Sequence, residues 1–234
     1  MATKKEEKRK FAVFDIDGTI FRSSLLIELV RHFIAEGVFP ARAARTYDAY
    51  EKKWLDREGS YDEYIMAVVH AFRRHIKGVP ETELISAGRT VVNALGNRTY
   101  VYTRSLITDL RKQGYFLIAI SQSPKRVLDP FCGRLGFDAV YGRIYEVDLK
   151  DKFTGETAHE EIISKKERAL ERVVAKYNLT LRDSIAVGDT EDDIPMLAMV
   201  ERPICFNPNK KLYLHAKKMK WRVVVERKNV VYEI

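Results

Sequence analysis

Two aspartates, Asp15 and Asp17, stand two residues apart in the run Phe14-Asp15-Ile16-Asp17-Gly18-Thr19. Residues at i and i+2 of an extended chain emerge on one face, so both carboxylates can face a single cleft. Three further sites follow at long range: Ser121, the pair Lys165 and Lys166, and Asp189 with Asp192 and Asp193. This set suits phosphoryl transfer. One carboxylate of the pair can attack phosphorus and form an acyl-phosphate. The other can protonate the leaving alcohol and then activate water. A phosphate dianion repels carboxylates, so a hard Mg²⁺ held by one or two carboxylates and waters must lie between them, with Asp189 as a further oxygen ligand. A lysine adds a point charge on the phosphate. Ser121 offers a hydroxyl and a backbone N–H without adding charge. Taken singly, each feature has a structural explanation. An Asp-x-Asp run caps helices, Ser121 can cap the helix that follows, the lysines can lie on a helix surface, and Gly188-Asp189 can be a turn. Their occurrence in order, three of them directly behind apolar strands and one at a helix start, favours chemistry.

The elements that must position these residues are legible in the periodicity. Phe11–Phe14 is an apolar strand that ends abruptly in acids and a glycine, as strands of a parallel sheet do at their carboxyl ends. A helix capped by Ser23 or Ser24 then carries Leu25, Leu26, Leu29, Val30 and Phe33 on one face and stops near Gly37. A second is predicted from Pro40 through Tyr47, Tyr50 and Trp54. A third runs from Ser60 to Gly78, and a fourth from Glu81 towards Gly96. Four helices without a strand form an insertion rather than β-α alternation. Alternation resumes with a helix over Thr103–Lys112, a strand over Phe116–Ile120 ending at Ser121, and a helix over Pro124–Leu135. Next come a short strand at Ala139–Tyr141, a hairpin around Asp151-Lys152 and an amphipathic helix over Lys165–Tyr177. The strand Ser184–Val187 leads into Gly188-Asp189, and a helix covers Asp193–Val200. Pro203–Phe206, a basic helix over Leu212–Met219, and a last strand pair at Val223–Val225 and Val230–Tyr232 complete the chain. The expected architecture is α/β: a Rossmann-like parallel sheet core flanked by helices, with an inserted all-helical cap subdomain. Residues 1–10 read as a flexible basic tail, 11–21 and 98–234 as the core, and 22–97 as the cap.

The 234 residues are 46% hydrophobic and 11% aromatic, enough to bury a core without staples, which excludes a disordered tail protein and a small disulfide scaffold. Cys132 and Cys205 stand far apart with no histidine cluster near them, as thiols of a reducing compartment do. No apolar run reaches the length of a membrane span, and the N-terminus lacks the apolar stretch of a signal peptide, so a cytoplasmic location is expected. The 41 Lys+Arg against 33 Asp+Glu leave a net +8, concentrated in Lys4–Lys10 and Lys210–Lys228. That balance raises nucleic acid as a partner, but no binding module for it is visible.

The ordered motifs resemble the haloacid dehalogenase superfamily, in the branch that includes phosphoserine phosphatases. The resemblance rests on Phe14–Thr19, Ala119–Pro124, Lys166–Leu170, Val187–Leu197 and Cys205–Asn209, and it covers nearly the whole chain behind the tail. It implies that Asp15 is the nucleophile and Asp17 the general acid and base, with Ser121 and Lys166 binding the transferring phosphoryl group. It implies Mg²⁺ on Asp15, on the backbone carbonyl of Asp17 and on Asp189, with Asp193 ordering the metal's surroundings. Lys165 and Asp192 are the competing choices for Lys166 and Asp193. The expected function is a Mg²⁺-dependent phosphatase that hydrolyses a small phosphomonoester through an aspartyl-phosphate. A phosphotransferase using the same intermediate, and a non-catalytic phosphate-binding regulatory protein, are the alternatives.

The residues of the cap then choose the leaving group. Phosphoserine phosphatases usually carry a Glu shortly after the first motif. Here Ser23 and Ser24 stand in that region and Glu28 comes a helical turn later, which argues against phosphoserine. Arg57, Arg73 and Arg74 are candidates for an anionic substrate tail. The aromatic run Tyr47, Tyr50, Trp54, Tyr61 and Tyr64 reads as cap core or as a pocket lining.

Overall fold

The computed structural model describes residues 8–159 and 165–234. Residues 1–7 of the expected basic tail lie outside them. Arg9 and Lys10, assigned to that tail from charge alone, instead begin the first strand. The Arg9 Nε donates to the Gly114 carbonyl at 2.8 Å, and Lys10 pairs with Asp183 at 2.5 Å.

One sheet of eight strands organises the molecule, in the order β4-β3-β2-β1-β5-β6-β7-β8. Strand β1 (Arg9–Phe14) lies between β2 (Phe116–Pro124) and β5 (Leu179–Gly188), parallel to both. Beyond them β3 (Ala139–Val147) and β6 (Arg202–Phe206) continue the parallel order, followed by β7 (Arg222–Arg227). The edge strands β4 (Phe153–Ala158) and β8 (Val230–Glu233) are antiparallel to their neighbours. The register decides where chemistry can occur. Phe14 lies opposite Ala119 on β2 and Val187 on β5, so Asp15, Ser121 and Asp189 leave the same edge of the sheet. That edge is the crevice between β1 and β5, where the chain reverses its direction of winding and where open α/β sheets bind ligands.

Both faces of the central strands are covered. Ala12, Phe14, Leu117, Ala119, Ile185 and Val187 pack towards α5 (Val101–Lys112) and α6 (Lys125–Leu135). Phe11, Val13, Ile118, Ile120 and Ala186 pack towards α7 (Lys166–Lys176) and α9 (Lys210–Met219); the single turn Ile194–Leu197 is α8. Burial on both faces explains why these strands read as unbroken apolar runs.

Between β1 and β2 stand α1 (Leu25–Ala35), α2 (Asp48–Leu55), α3 (Tyr61–Ile76) and α4 (Glu81–Leu95). The capping box of Ser60 and Glu63 starts α3. The helix expected from Pro40 to Trp54 is broken. A 3-10 segment spans Ala41–Thr46, and α2 begins only after Tyr47, whose ring is buried beside Tyr64. A third hydrophobic cluster, apart from those on the two sheet faces, holds Leu29, Val30, Phe33, Phe39 and Phe72 of this helical stretch. Tyr145 and Phe153 of the β3–β4 hairpin join it, so the hairpin packs against the helices. Helix α4 serves both sides, with Leu84 and Ala87 in that cluster and Val92 against the sheet.

Candidate active site

At the β1 edge, Asp15 continues the sheet by donating its N–H to Val187 O at 2.9 Å, and its side chain is buried. Lys166, the first residue of α7, is buried beside it, whereas Lys165 is exposed. The Lys166 Nζ lies 2.6 Å from Asp15 Oδ1 and 2.6 Å from Asp193 Oδ1. Asp193 is fully buried and Asp192 exposed. The other Asp193 oxygen accepts the backbone N–H groups of Asp189 at 3.0 Å and Thr190 at 3.1 Å, which ties it to the loop that carries Asp189. Thr19 Oγ1 donates to Asp189 Oδ1 at 3.0 Å. Asp15, Asp189 and Asp193 each offer an oxygen within 4.8 Å of the others.

Two glycines permit this crowding. A Cβ on Gly18, whose φ is +82°, would lie 2.2 Å from Asp189 Oδ2, and one on Gly188 would meet the Asp193 carboxyl at 2.5 Å. Three carboxylates then share one ammonium. Burial raises the Asp15 carboxyl to about 7, against the opposing pull of Lys166. Burial followed by the charges of Asp15 and Asp193 raises Asp189 well above the carboxylate range. For Lys166, burial works against the charge, yet Asp15 and Asp193 outweigh it and hold the ammonium above its ordinary value. Negative charge in excess, presented by oxygen atoms alone, fits a hard divalent cation such as Mg²⁺.

Asp17 faces elsewhere. Its Oδ2 accepts the hydroxyls of Ser121 at 2.7 Å and Ser123 at 2.8 Å, and its Oδ1 accepts the N–H of Leu25 at 2.6 Å. The expected Ser23 or Ser24 cap of α1 is therefore replaced. Neither hydroxyl caps the helix, Ser23 Oγ donates to Glu28 at 2.9 Å, and the Asp17 carboxylate takes the free N–H at the helix start. Sequence reasoning overlooked Ser123. The signal was present, because Ser121 and Ser123 share the i, i+2 spacing of the two aspartates.

The haloacid dehalogenase-like hydrolase model matches residues 12–198. The chain belongs to this family. Among its relatives, the inhibition of morphological differentiation protein of Streptomyces azureus is 25% identical over 218 residues, 92% of this chain and 78% of that one. Phosphoserine phosphatase SerB1 of Mycobacterium tuberculosis is 25% identical over 220 residues, 91% and 69% of the two chains. The solved phospho-aspartyl intermediate analogue of phosphoserine phosphatase shares the fold with a TM-score of 0.63 at 21% identity, covering 95% of this chain and 96% of the other. Proteins named phosphoserine phosphatase thus stand among both its relatives and its structural neighbours.

In this hydrolase a chamber of about 490 Å³ opens beside Gly18 and Asp189. Helices α1, α2 and α3 wall one side through Arg31, Trp54, Tyr61 and Tyr64, and Arg22, Tyr100 and Asn207 face them from the sheet edge. The aromatic run divides accordingly. Trp54, Tyr61 and Tyr64 line the chamber, Tyr47 is core and Tyr50 is exposed. Arg57, in the turn behind α2, and Arg73 and Arg74 of α3 do not line it; Arg22 and Arg31, exposed like them, are the arginines that do.

Proposed function

We propose that this protein, a phosphatase of the haloacid dehalogenase family, hydrolyses a small phosphomonoester through an aspartyl-phosphate on Asp15, with Mg²⁺ as its metal. The observation that carries this reading is the placing of Lys166 Nζ 2.6 Å from Asp15 Oδ1, with Asp17 two residues on and held by Ser121 and Ser123. A carboxylate pinned by a lysine keeps one oxygen aimed at the incoming phosphorus, and the ammonium offsets the charge that the ester brings.

The reaction balances on these groups. An Asp15 oxygen bonds to phosphorus as the ester P–O bond breaks, and Asp17 gives its proton to the departing alkoxide. Asp17 then takes a proton from water as that oxygen attacks phosphorus. The bond from phosphorus to Asp15 breaks, inorganic phosphate leaves, and the carboxylate is restored. Ser121 donates to a phosphoryl oxygen from its place beside Asp17. Asp15, Asp189 and the Asp17 backbone carbonyl would hold the metal, with Asp193 fixing both the Asp189 loop and Lys166. When bound, the cation supplies charge neutralisation at the phosphoryl oxygens. The helical stretch 22–97 acts as the cap that closes the leaving-group chamber and shelters the acyl-phosphate from premature hydrolysis.

The test is Asp15→Asn, which keeps the shape and removes the nucleophile. Phosphate release from an aryl phosphate is expected to fall by at least about 10³-fold, and acid-quenched wild-type enzyme to carry acyl-bound phosphate that the variant lacks. Wild-type turnover in the variant would overturn the covalent route.

A further inference from the structure

Most of the net +8 lies away from the acid cluster. Residues 210–234 carry eight Lys and Arg against two Glu, six of the eight net charges. Both acids are engaged. Glu226 accepts the N–H groups of Val101 and Tyr102 at the start of α5, and Glu233 pairs with Arg222. Among the cations, Lys211 pairs with Glu191 at 2.5 Å. Lys210, Lys217, Lys218, Lys220, Arg227 and Lys228 are exposed and have no acid partner among the described residues.

Apolar side chains stand among them. Leu212 and Ala216 are fully buried and turn α9 onto the sheet, so Leu214 between them projects outward and is 57% exposed. Its neighbours at i−4, i−3, i+3 and i+4 are Lys210, Lys211, Lys217 and Lys218, four ammonium groups around one leucine. The β7–β8 hairpin extends this surface. Val225 packs in the cluster of Leu212 and Ala216 and lies opposite Tyr232 on β8. Side chains alternate along the strand, so Val230, Tyr232 and Ile234 all stand on the α9 side. They are 45%, 51% and 59% exposed, and no strand pairs beyond β8 among the described residues.

Charge selects what covers this face. A second copy would bring a like-charged surface against it, which the unpaired cations oppose. A nucleic acid would meet the charges but leave Leu214, Val230 and Ile234 against phosphate and sugar, with Tyr232 as the only exposed ring of the stripe for stacking. An anionic bilayer surface meets both needs. Its headgroups take the ammonium groups, the aliphatic tips enter the acyl boundary, and the lysine stems follow them while the charges stay at headgroup level.

We propose that the face formed by α9 and the β7–β8 hairpin docks the protein on an anionic phospholipid surface, with Leu214 inserted among headgroups held by Lys210, Lys217 and Lys218. Helix α9 starts directly behind Asn209, which lines the chamber and donates its N–H to Asp189 O at 2.8 Å, so the docked face begins at the chamber rim. Docking does not depend on the reaction assigned to Asp15.

Flotation of the full chain with vesicles tests it, using phosphatidylcholine alone and phosphatidylcholine with a third of the lipid replaced by phosphatidylserine. The partition coefficient is expected to be at least about tenfold higher on the anionic vesicles, and to fall about tenfold between about 0.1 and about 0.5 M salt. Lys218→Glu is expected to lower it at least about tenfold, and Leu214→Ser about fivefold at constant salt. Lys112→Glu, the same charge reversal on α5 at the opposite face of the sheet, should stay within about twofold. Thermal melts check that the variants are folded, and the salt series on the wild type stands without them. Equal partition onto both vesicles, no partition, or equal losses in Lys218→Glu and Lys112→Glu would overturn the proposal. A single-stranded oligonucleotide bound more tightly than the anionic vesicles, and unaffected by Leu214→Ser, would overturn it in favour of nucleic acid. A dimer in sedimentation that Leu214→Ser dissociates would overturn it in favour of a second copy.

Discussion

The Ser123 hydroxyl donates to Oδ2 of Asp17 at 2.8 Å, on the same oxygen that receives Ser121 at 2.7 Å, and the Ser123 N–H donates to Ser121 Oγ at 3.0 Å. Ser123 thus holds the acid of the proposed reaction and the rotamer of its phosphate-binding neighbour. In the proposed reaction Ser121 turns to a phosphoryl oxygen while Ser123 remains on Asp17. Ser123→Ala is expected to lower kcat/KM about tenfold on alkyl phosphates and only about twofold on 4-nitrophenyl phosphate, whose leaving group needs no proton. Ser123→Thr should restore most of the loss. A uniform drop across leaving groups would mean that Ser123 only packs.

The two adjacent lysines provide a second comparison. Lys166 is buried between Asp15 and Asp193, whereas Lys165 is exposed. Lys166→Met is expected to reduce kcat/KM by about 10²–10³, because a point charge aimed at the transferring group is lost. Lys165→Ala should stay within about twofold of the wild type. Steady-state kinetics on one aryl phosphate decides between them.

In the proposed reaction a metal ion and protons compete for the same carboxylates. Burial lifts Asp15 from 3.8 to about 7. A carboxyl that holds its proton more tightly when folded favours the folded state while protonated, and this advantage is lost as pH rises from about 4 to about 7. Metal-free protein is therefore expected to lose thermal stability over that window, and Asp15→Asn to flatten the slope. Added Mg²⁺ should raise Tm more near pH 7.5 than near pH 5, because it must displace protons at the lower pH. Melts with EDTA or Mg²⁺ at both pH values check this, and EDTA should also silence turnover until Mg²⁺ is restored.

Gly18 is the clearest steric prediction. An alanine there would place its Cβ 2.2 Å from Asp189 Oδ2 at a φ of +82°. Gly18→Ala is expected to cost at least about 1 kcal/mol of stability and to weaken Mg²⁺ activation on the order of tenfold. Thermal melts and Mg²⁺ titration of activity read the two effects separately.

The sequence alone determined the elements and the kind of chemistry. Runs such as Phe11–Phe14 and Ser184–Val187 are apolar throughout because both faces of a parallel strand are buried, and acids directly behind them mark strand ends at a shared edge. Those signals are local, so Asp15, Asp17, Ser121 and Asp189 could be read without coordinates. Tertiary structure alone decided what depends on distant segments meeting. Lys165 and Lys166 are chemically identical, and only the phase of α7 against β1 buries one of them. Asp192 and Asp193 are separated by the turn that carries one of them under Lys166. The start of α1 is capped by Asp17, not by its own serines, because the loop behind β1 folds the carboxylate onto it. The chamber arises where α1, α2 and α3 face the β1–β5 edge. No periodicity encodes which arginines border the chamber, and Arg22 and Arg31 do so whereas Arg57, Arg73 and Arg74 do not.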